Sequence, residues 1–350
     1  MIVSCSAGNG SQGSESGTSQ GDAAFEAEFV FTVRPDGTCE LTRYNGQSEE
    51  VTVPSQHDGM AISSIGAFSF EGKDNIKRVV IPEGVTEIKP CAFAGCSALD
   101  ELELPDSAVE FSKESFADTP WYSSFEDGLV IINGTVTEYR GDTSKLNSLV
   151  IPEGTLRIGE RAFSALAVRT VTLPESVTHI GERAFEKCTS LFKIQLPDGI
   201  EEIGYAAFHE TAWFNLQKNK AVVVGSILVG CDNSSLSVSI PDNVKTIAPG
   251  AFLGSRALVL NIPEGVEKIC PNAFTGCTQV LRITLPSTVT ELDPSAFEMC
   301  PSLQVIGVAE NNPNYYSKDG ILYERNKDSE LARPEGMTEA SSETSEPQKR

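Results

Sequence analysis

The chain has 350 residues, 40% of them apolar, and a net charge of -22 from 49 acidic against 27 basic side chains. That is enough apolar material for a sizeable core, while the acidic surplus argues against a nucleic-acid or anionic-membrane surface, which needs clustered Lys and Arg. No run of 18 apolar residues occurs, so the sequence offers no membrane-spanning helix.

Residues 1–24 open with Ile2-Val3-Ser4-Cys5 and continue as Gly, Ser, Gln, Thr and acids, the composition of a flexible tether. The opening resembles the lipobox of bacterial lipoproteins, in which the Cys is lipidated and becomes the mature N-terminus. Cys5 is therefore a lipidation candidate. The charged and apolar regions of a signal peptide do not stand before it. The other reading is an incidental Cys in a polar tail.

Residues 25–54 read as strand, Asp36-Gly37 turn and strand. This predicts a β-hairpin cap over the apolar end of the segment that begins at residue 55.

Residues 55–330 repeat. Phe falls at 70, 93, 116, 163, 185, 208, 252, 274 and 297, giving nine repeats of 22 to 23 residues in three sets of three. A Pro stands eleven residues before eight of these Phe. Pro54 stands sixteen before the first, which places about five inserted residues within Gln56 to Ala61. Apolar residues one and three before Pro alternate with polar ones. The pattern predicts a short strand with one face inward, ended by a residue that cannot donate to a ladder. The Ala-Phe pair is expected to fill the far side from a short helical turn. One repeat cannot bury its own apolar face, so copies must stack into a solenoid with a parallel sheet along one side.

Two insertions, about 119–145 and 211–235, separate the sets. Each carries a Trp five residues after the repeat Phe, then strand, turn and strand. They are read as hairpins growing out of the stack. A closing segment, 305–330, contains a third version beginning near Asn312, and 331–350 is polar and reads as a disordered tail.

The repeat LPxxVxxIgxxAFxxCxxL resembles the BspA-like, or Treponema-type, leucine-rich repeat, with all nine Phe and nearly all aliphatic positions matching from about residue 26 to 330. The resemblance implies a leucine-rich-repeat solenoid and an adhesin-like role at a cell surface.

The sequence carries no catalytic, cofactor or metal constellation. Cys96, Cys188, Cys277 and Cys300 stand three after a repeat Phe, where other copies hold Lys, Thr, Leu or Ser. That suggests a small, partly buried slot, and no CxxC occurs. The three His lie in different repeats at different repeat positions. The carboxylates occupy variable outward positions such as Glu87, Glu182, Glu202 and Glu267.

What remains is surface. The outward strand positions, from Arg78 to Thr284 and including Ser237 and Ser239, hold no aromatic residue. The aromatics gather in the insertions and closing segment: Trp121, Tyr122, Trp213, Phe214, Tyr315 and Tyr316. They either seal the hairpins onto the stack or contact a partner. The expectation is a monomeric, non-enzymatic, extracellular or cell-surface module. It binds a protein or glycoprotein and meets the membrane only through a lipid on Cys5. The alternative is a scaffold or recognition subunit for an envelope or glycan-handling assembly.

Overall fold

Each repeat turns around its Phe, which follows Ala in seven copies and Ser in two, and the structure shows how a chain of ordinary residues does so. It is a computed structural model that describes residues 28–105, 107, 109–217, 221–231 and 234–337. Seven of the nine repeats place the residue two before Phe in the left-handed region, and all nine place the residue two after it there. Between these kinks the amides face the neighbouring repeat. Cys91, Phe93 and Gly95 donate to Glu114, Ser115 and Ala117 at 3.1, 2.8 and 2.9 Å. The turn is therefore a ladder between repeats, and the expected helical turn is corrected. Of the nine Phe turns only Lys113–Phe116 and Pro294–Phe297 are helical, both 3-10, and these are the two repeats without the first left-handed residue.

The Phe rings stack behind this ladder. In the first unit Tyr44, Phe70, Phe93 and Phe116 follow one another at 5.2, 4.7 and 5.5 Å between centroids. In the second, Phe252, Phe274 and Phe297 do so at 5.2 and 5.6 Å. All nine repeat Phe are buried.

The strands before Pro form as expected. Glu50–Thr52, Arg78–Val80 and Glu101–Glu103 pair in parallel, with Val51, Val79 and Leu102 in register and turned inward. Ser148–Val150, Thr170–Thr172 and Lys193–Gln195 form a second such sheet. Val259–Asn261, Arg282–Leu285 and Val305–Val308 form a third. One expected strand is missing. Residues 237–239 form no strand, because Ser235 Oγ accepts the Ser237 amide at 3.3 Å and donates to the Ser237 carbonyl at 2.7 Å. Such local bonds compete with a ladder.

Further parallel pairing follows Pro in each repeat, on strands of two residues in all but the first. Glu87–Ile88 pairs with Glu110–Phe111, His179–Ile180 with Glu202–Ile203, and Lys268–Ile269 with Glu291–Leu292. This pairing also corrects the picture of the insertions. The second hairpin strands, Thr135–Arg140 and Ile227–Gly230, pair in parallel with Arg157–Ile158 and Thr246–Ile247. The hairpins continue the stack.

At the start, Phe29–Val33 pairs antiparallel with Cys39–Tyr44, and the latter strand pairs in parallel with Met60–Ile65. Glu50–Thr52 already belongs to the repeat sheet. The extra residues after Pro54 make a tight hairpin, Gln56 opposite Ala61, turning on left-handed Asp58 and Gly59. At the other end the tail boundary is corrected. Ser329–Ala332 is a strand, the Gly336 amide donates to Leu303 at 2.8 Å, and Glu335 accepts the Met299 amide at 2.8 Å. The last repeat's open backbone thus draws residues 331–337 onto it.

The chain divides into two compact units. One runs to residue 145 with 152–163; the other holds 146–151 and residue 164 onward. Each unit is a leucine-rich-repeat solenoid with parallel sheets.

Candidate interaction surface

The aromatics singled out in the sequence point mostly inward. Thr119 and Thr211, three after their Phe, each donate to that Phe carbonyl at 2.9 Å. Each also caps a short helix, accepting the amide of Tyr122 or Phe214. The chain leaves the repeat here, and the Trp is carried over the end of the Phe stack. Trp121 lies 5.0 Å from Phe116, and Trp213 lies 5.0 Å from Phe208. Tyr122 is buried; its hydroxyl bonds Thr137 at 2.9 Å, Arg140 lies over its ring, and burial pushes its phenol up. Phe214 packs on Gly230, where a Cβ would strike the ring. Tyr315 is buried and donates to the Thr290 carbonyl at 3.3 Å. Tyr316 stacks on Tyr323 at 5.1 Å and donates to Asp328. Cys5 lies outside the described residues.

In four repeats the slot three after Phe holds a thiol, and three of these thiols bond the preceding repeat. Cys96, Cys277 and Cys300 donate to Phe70, Phe252 and Phe274 carbonyls at 3.1, 3.2 and 3.2 Å. These thiols are free. Burial pushes Cys96 and Cys188 up to about 11; the bond between Cys277 and Cys300 pushes Cys277 up, together with burial, and Cys300 down. The raised thiols Cys96, Cys188 and Cys277 are poor nucleophiles. A groove of about 250 Å³ along the second unit's two-residue strands has Lys268 and Cys270 in its wall. Lys268 is held by Glu291 at 3.2 Å, and burial pushes Cys270 up to about 11. His57, His179 and His209 lie beside different carboxylates, Asp58, Glu202 and Glu210. Among the described residues no three metal-ligating side chains converge.

The sheets before Pro offer the broad exposed faces. Counted back from Pro, the second, fourth and fifth residues point out. In the first unit the fifth position holds Glu49, Lys77 and Asp100, joined by amide bonds from Lys77 to Glu49 and Asp100 to Lys77. Lys77 pairs with Glu49 at 2.7 Å, which raises its pKa. Arg78 sits among Glu50 at 3.9 Å, Glu101 at 3.4 Å and Glu103; its bond to Glu103 leads in raising its pKa. This face is acidic, and its two cations are both engaged.

The second unit inverts this. From Asn147 to Gly307 none of the three outward positions holds Asp or Glu. The fifth position reads Asn147, Arg169, Phe192, Leu236, Leu258, Leu281, Gln304. Amides tie Leu258 to Leu236 at 3.2 Å, Leu281 to Leu258 at 2.8 Å and Gln304 to Leu281 at 3.0 Å. The side chains form an exposed row: Phe192 47%, Leu236 58%, Leu258 40% and Leu281 41%, with Val259 beside it. Lys193 and Arg282 are exposed and make no ion pair among the described residues; Arg169 lies over the Phe192 ring at 5.9 Å.

Strand alternation hides this row, because continuing the period of two from Leu260 or Ile283 sends Leu258 and Leu281 into the core. The signal against that lies in the other copies. A position holding Glu49, Lys77, Asp100, Asn147 and Arg169 is not a core position.

A family model described as BspA type leucine rich repeat region matches residues 47–127, 137–259 and 226–326. Among solved structures, a leucine-rich repeat protein of T. pallidum is 25% identical, with 65% of this chain and 86% of that chain covered and a TM-score of 0.30. A leucine rich cell surface protein of Faecalibacterium prausnitzii is 24% identical over 81% of this chain and 93% of that one, TM-score 0.27. The pneumococcal vaccine antigen PcpA is 17% identical over 81% and 80%, TM-score 0.32. No curated protein matches the chain.

Proposed function

The chain belongs to the BspA-type leucine-rich-repeat family, and we propose that it is a non-catalytic binding module for a protein or glycoprotein, adhesin-like and displayed at the cell surface. One observation carries this reading. At nine core positions the residue never changes from Phe, while the outward position five before Pro runs through Glu, Lys, Asp, Asn, Arg, Phe and Leu on the same backbone. A fixed frame with a freely varied, extended face suits recognition of a large surface. Solvated carboxylates and high-pKa thiols suit chemistry poorly. Display would run through the polar tether and a lipid on Cys5.

The test is saturable binding of the full chain to immobilised fibronectin, fibrinogen, collagen, laminin, mucin and glycans. Binding to one of these at moderate salt supports the adhesin reading. Failure across the panel, together with failure to capture any envelope protein of the producing cell, overturns it. Attachment has its own check: radiolabelled palmitate enters the precursor and is lost in Cys5→Ala. Label that persists in the variant rules out Cys5.

A further inference from the structure

The acidity of the chain is not spread evenly, and its gap coincides with the exposed aliphatic row. The stretches 165–174, 188–197, 234–241, 254–263 and 276–286 contain no Asp or Glu, in a chain with 49 of them. After the last of these stretches the acids return at Glu291, and after the other four at the residue after Pro, as Glu175, Asp198, Asp242 and Glu264. That is three residues past the last outward position, roughly 10 Å along extended chain. The Debye length in physiological salt is about 8 Å, so the face's own cations dominate the field that a docked group feels there. Those cations are Arg169, Lys193 and Arg282. The last two have no carboxylate partner among the described residues.

Resting on the reading as a binding module, we infer that this face, centred on Leu236, Leu258 and Leu281, docks an acidic polypeptide segment that carries apolar side chains. The row supplies an apolar strip: Leu258 and Leu281 stand beside paired strands roughly 4.8 Å apart, and the Leu258 amide ties Leu236 to them. Such a strip contributes affinity when covered. The flanking cations supply register and selectivity by pairing with the segment's carboxylates. A second copy of this chain fits less well: its exposed acidic sheet already commits Glu49, Glu50, Glu101 and Glu103 to Lys77 and Arg78 and offers no aliphatic row. An anionic bilayer fits less well too, because three cations are few against a net charge of -22.

The experiment is selection of displayed random peptides on the full chain, followed by affinity measurement of the most enriched synthetic peptide. Enriched sequences should combine Asp or Glu with Leu, Phe or Trp. Their affinity should fall at least about tenfold in Leu258→Asp/Leu281→Asp and again in Lys193→Glu/Arg282→Glu. It should hold in Lys77→Ala, with all three variants melting as the parent does. Peptides that bind the Leu258→Asp/Leu281→Asp variant unchanged would move the site elsewhere while leaving the binding-module reading intact. No saturable binder at all would remove both. Two further results would replace the occupant and so overturn the inference. One is cosedimentation with phosphatidylcholine–phosphatidylserine vesicles that the same substitutions abolish. The other is concentration-dependent dimerisation that they abolish.

Discussion

The two sheet faces share one backbone and carry opposite surfaces. Around Arg78 the outward positions form a closed electrostatic cluster, in which each cation meets a carboxylate. Around Leu258 they form an open aliphatic row, with Lys193 and Arg282 in no ion pair among the described residues. Strand register, inward aliphatics and the Phe stack behind them are alike in both. The repeat therefore separates what holds the fold from what the fold presents. A stacked Phe lends the same support whichever face lies across the sheet from it.

The largest effect tests that equivalence. Phe93→Ala and Phe274→Ala each remove a ring packed between two repeat Phe rings, and each should cost about 3–5 kcal/mol in urea unfolding. A large disparity between them would show that the two cores are not equivalent. The thiol slot gives the next effect. Cys96 and Cys188 keep their protons up to about 11 in the fold, whereas the unfolded chain releases them near 9.0. Their contribution is intact below about pH 9 and is lost as pH rises through about 11, at most about 2–3 kcal/mol each. Calorimetry of Cys96→Ala and Cys188→Ala should show flatter alkaline limbs than the parent, equally in the two.

A smaller effect compares the hairpins. Tyr122→Phe makes the first insertion like the second, where Phe214 has no hydroxyl. It should cost about 1 kcal/mol through loss of the Thr137 bond, read as a shift in urea midpoint. The smallest effect sets Arg78→Met against Arg282→Met. The first leaves Glu50, Glu101 and Glu103 without a counter-charge and should lower the melting temperature slightly, with the loss shrinking as salt rises. The second should change stability by no more than about 0.5 kcal/mol at any salt.

Much of this architecture is legible in the sequence because the Pro and Phe positions are strict and each has a local cause: Pro stops a ladder, and a ring this large must be buried. The second parallel sheet is not legible, since steps of two residues leave no alternation to detect. The Phe turns read as helical because Ala-Phe suits a helix, and nothing in residues such as Arg161, Arg183 and Lys187 announces a left-handed backbone. The exposed leucines are hidden by extending a real alternation one residue past the strand. Residues 331–337 look unstructured by composition, yet Glu335 and Gly336 meet backbone groups that composition does not report.

The left-handed residues flanking the repeat Phe also bear on how such a protein can grow. Those sixteen positions hold Gly, Ala, Asp, Asn, Glu, Lys, Arg, Cys, Met and Phe. None holds Val, Ile, Thr or Pro. Branching at Cβ makes that backbone costly, and a fixed negative φ forbids it. A duplicated copy can thus drift freely in charge and size at the turn, yet one branched residue there would impair its joining to the next copy. The positions act as a filter on which duplicates survive, separate from burial, and they permit a new sheet face to be acquired without altering the frame that carries it.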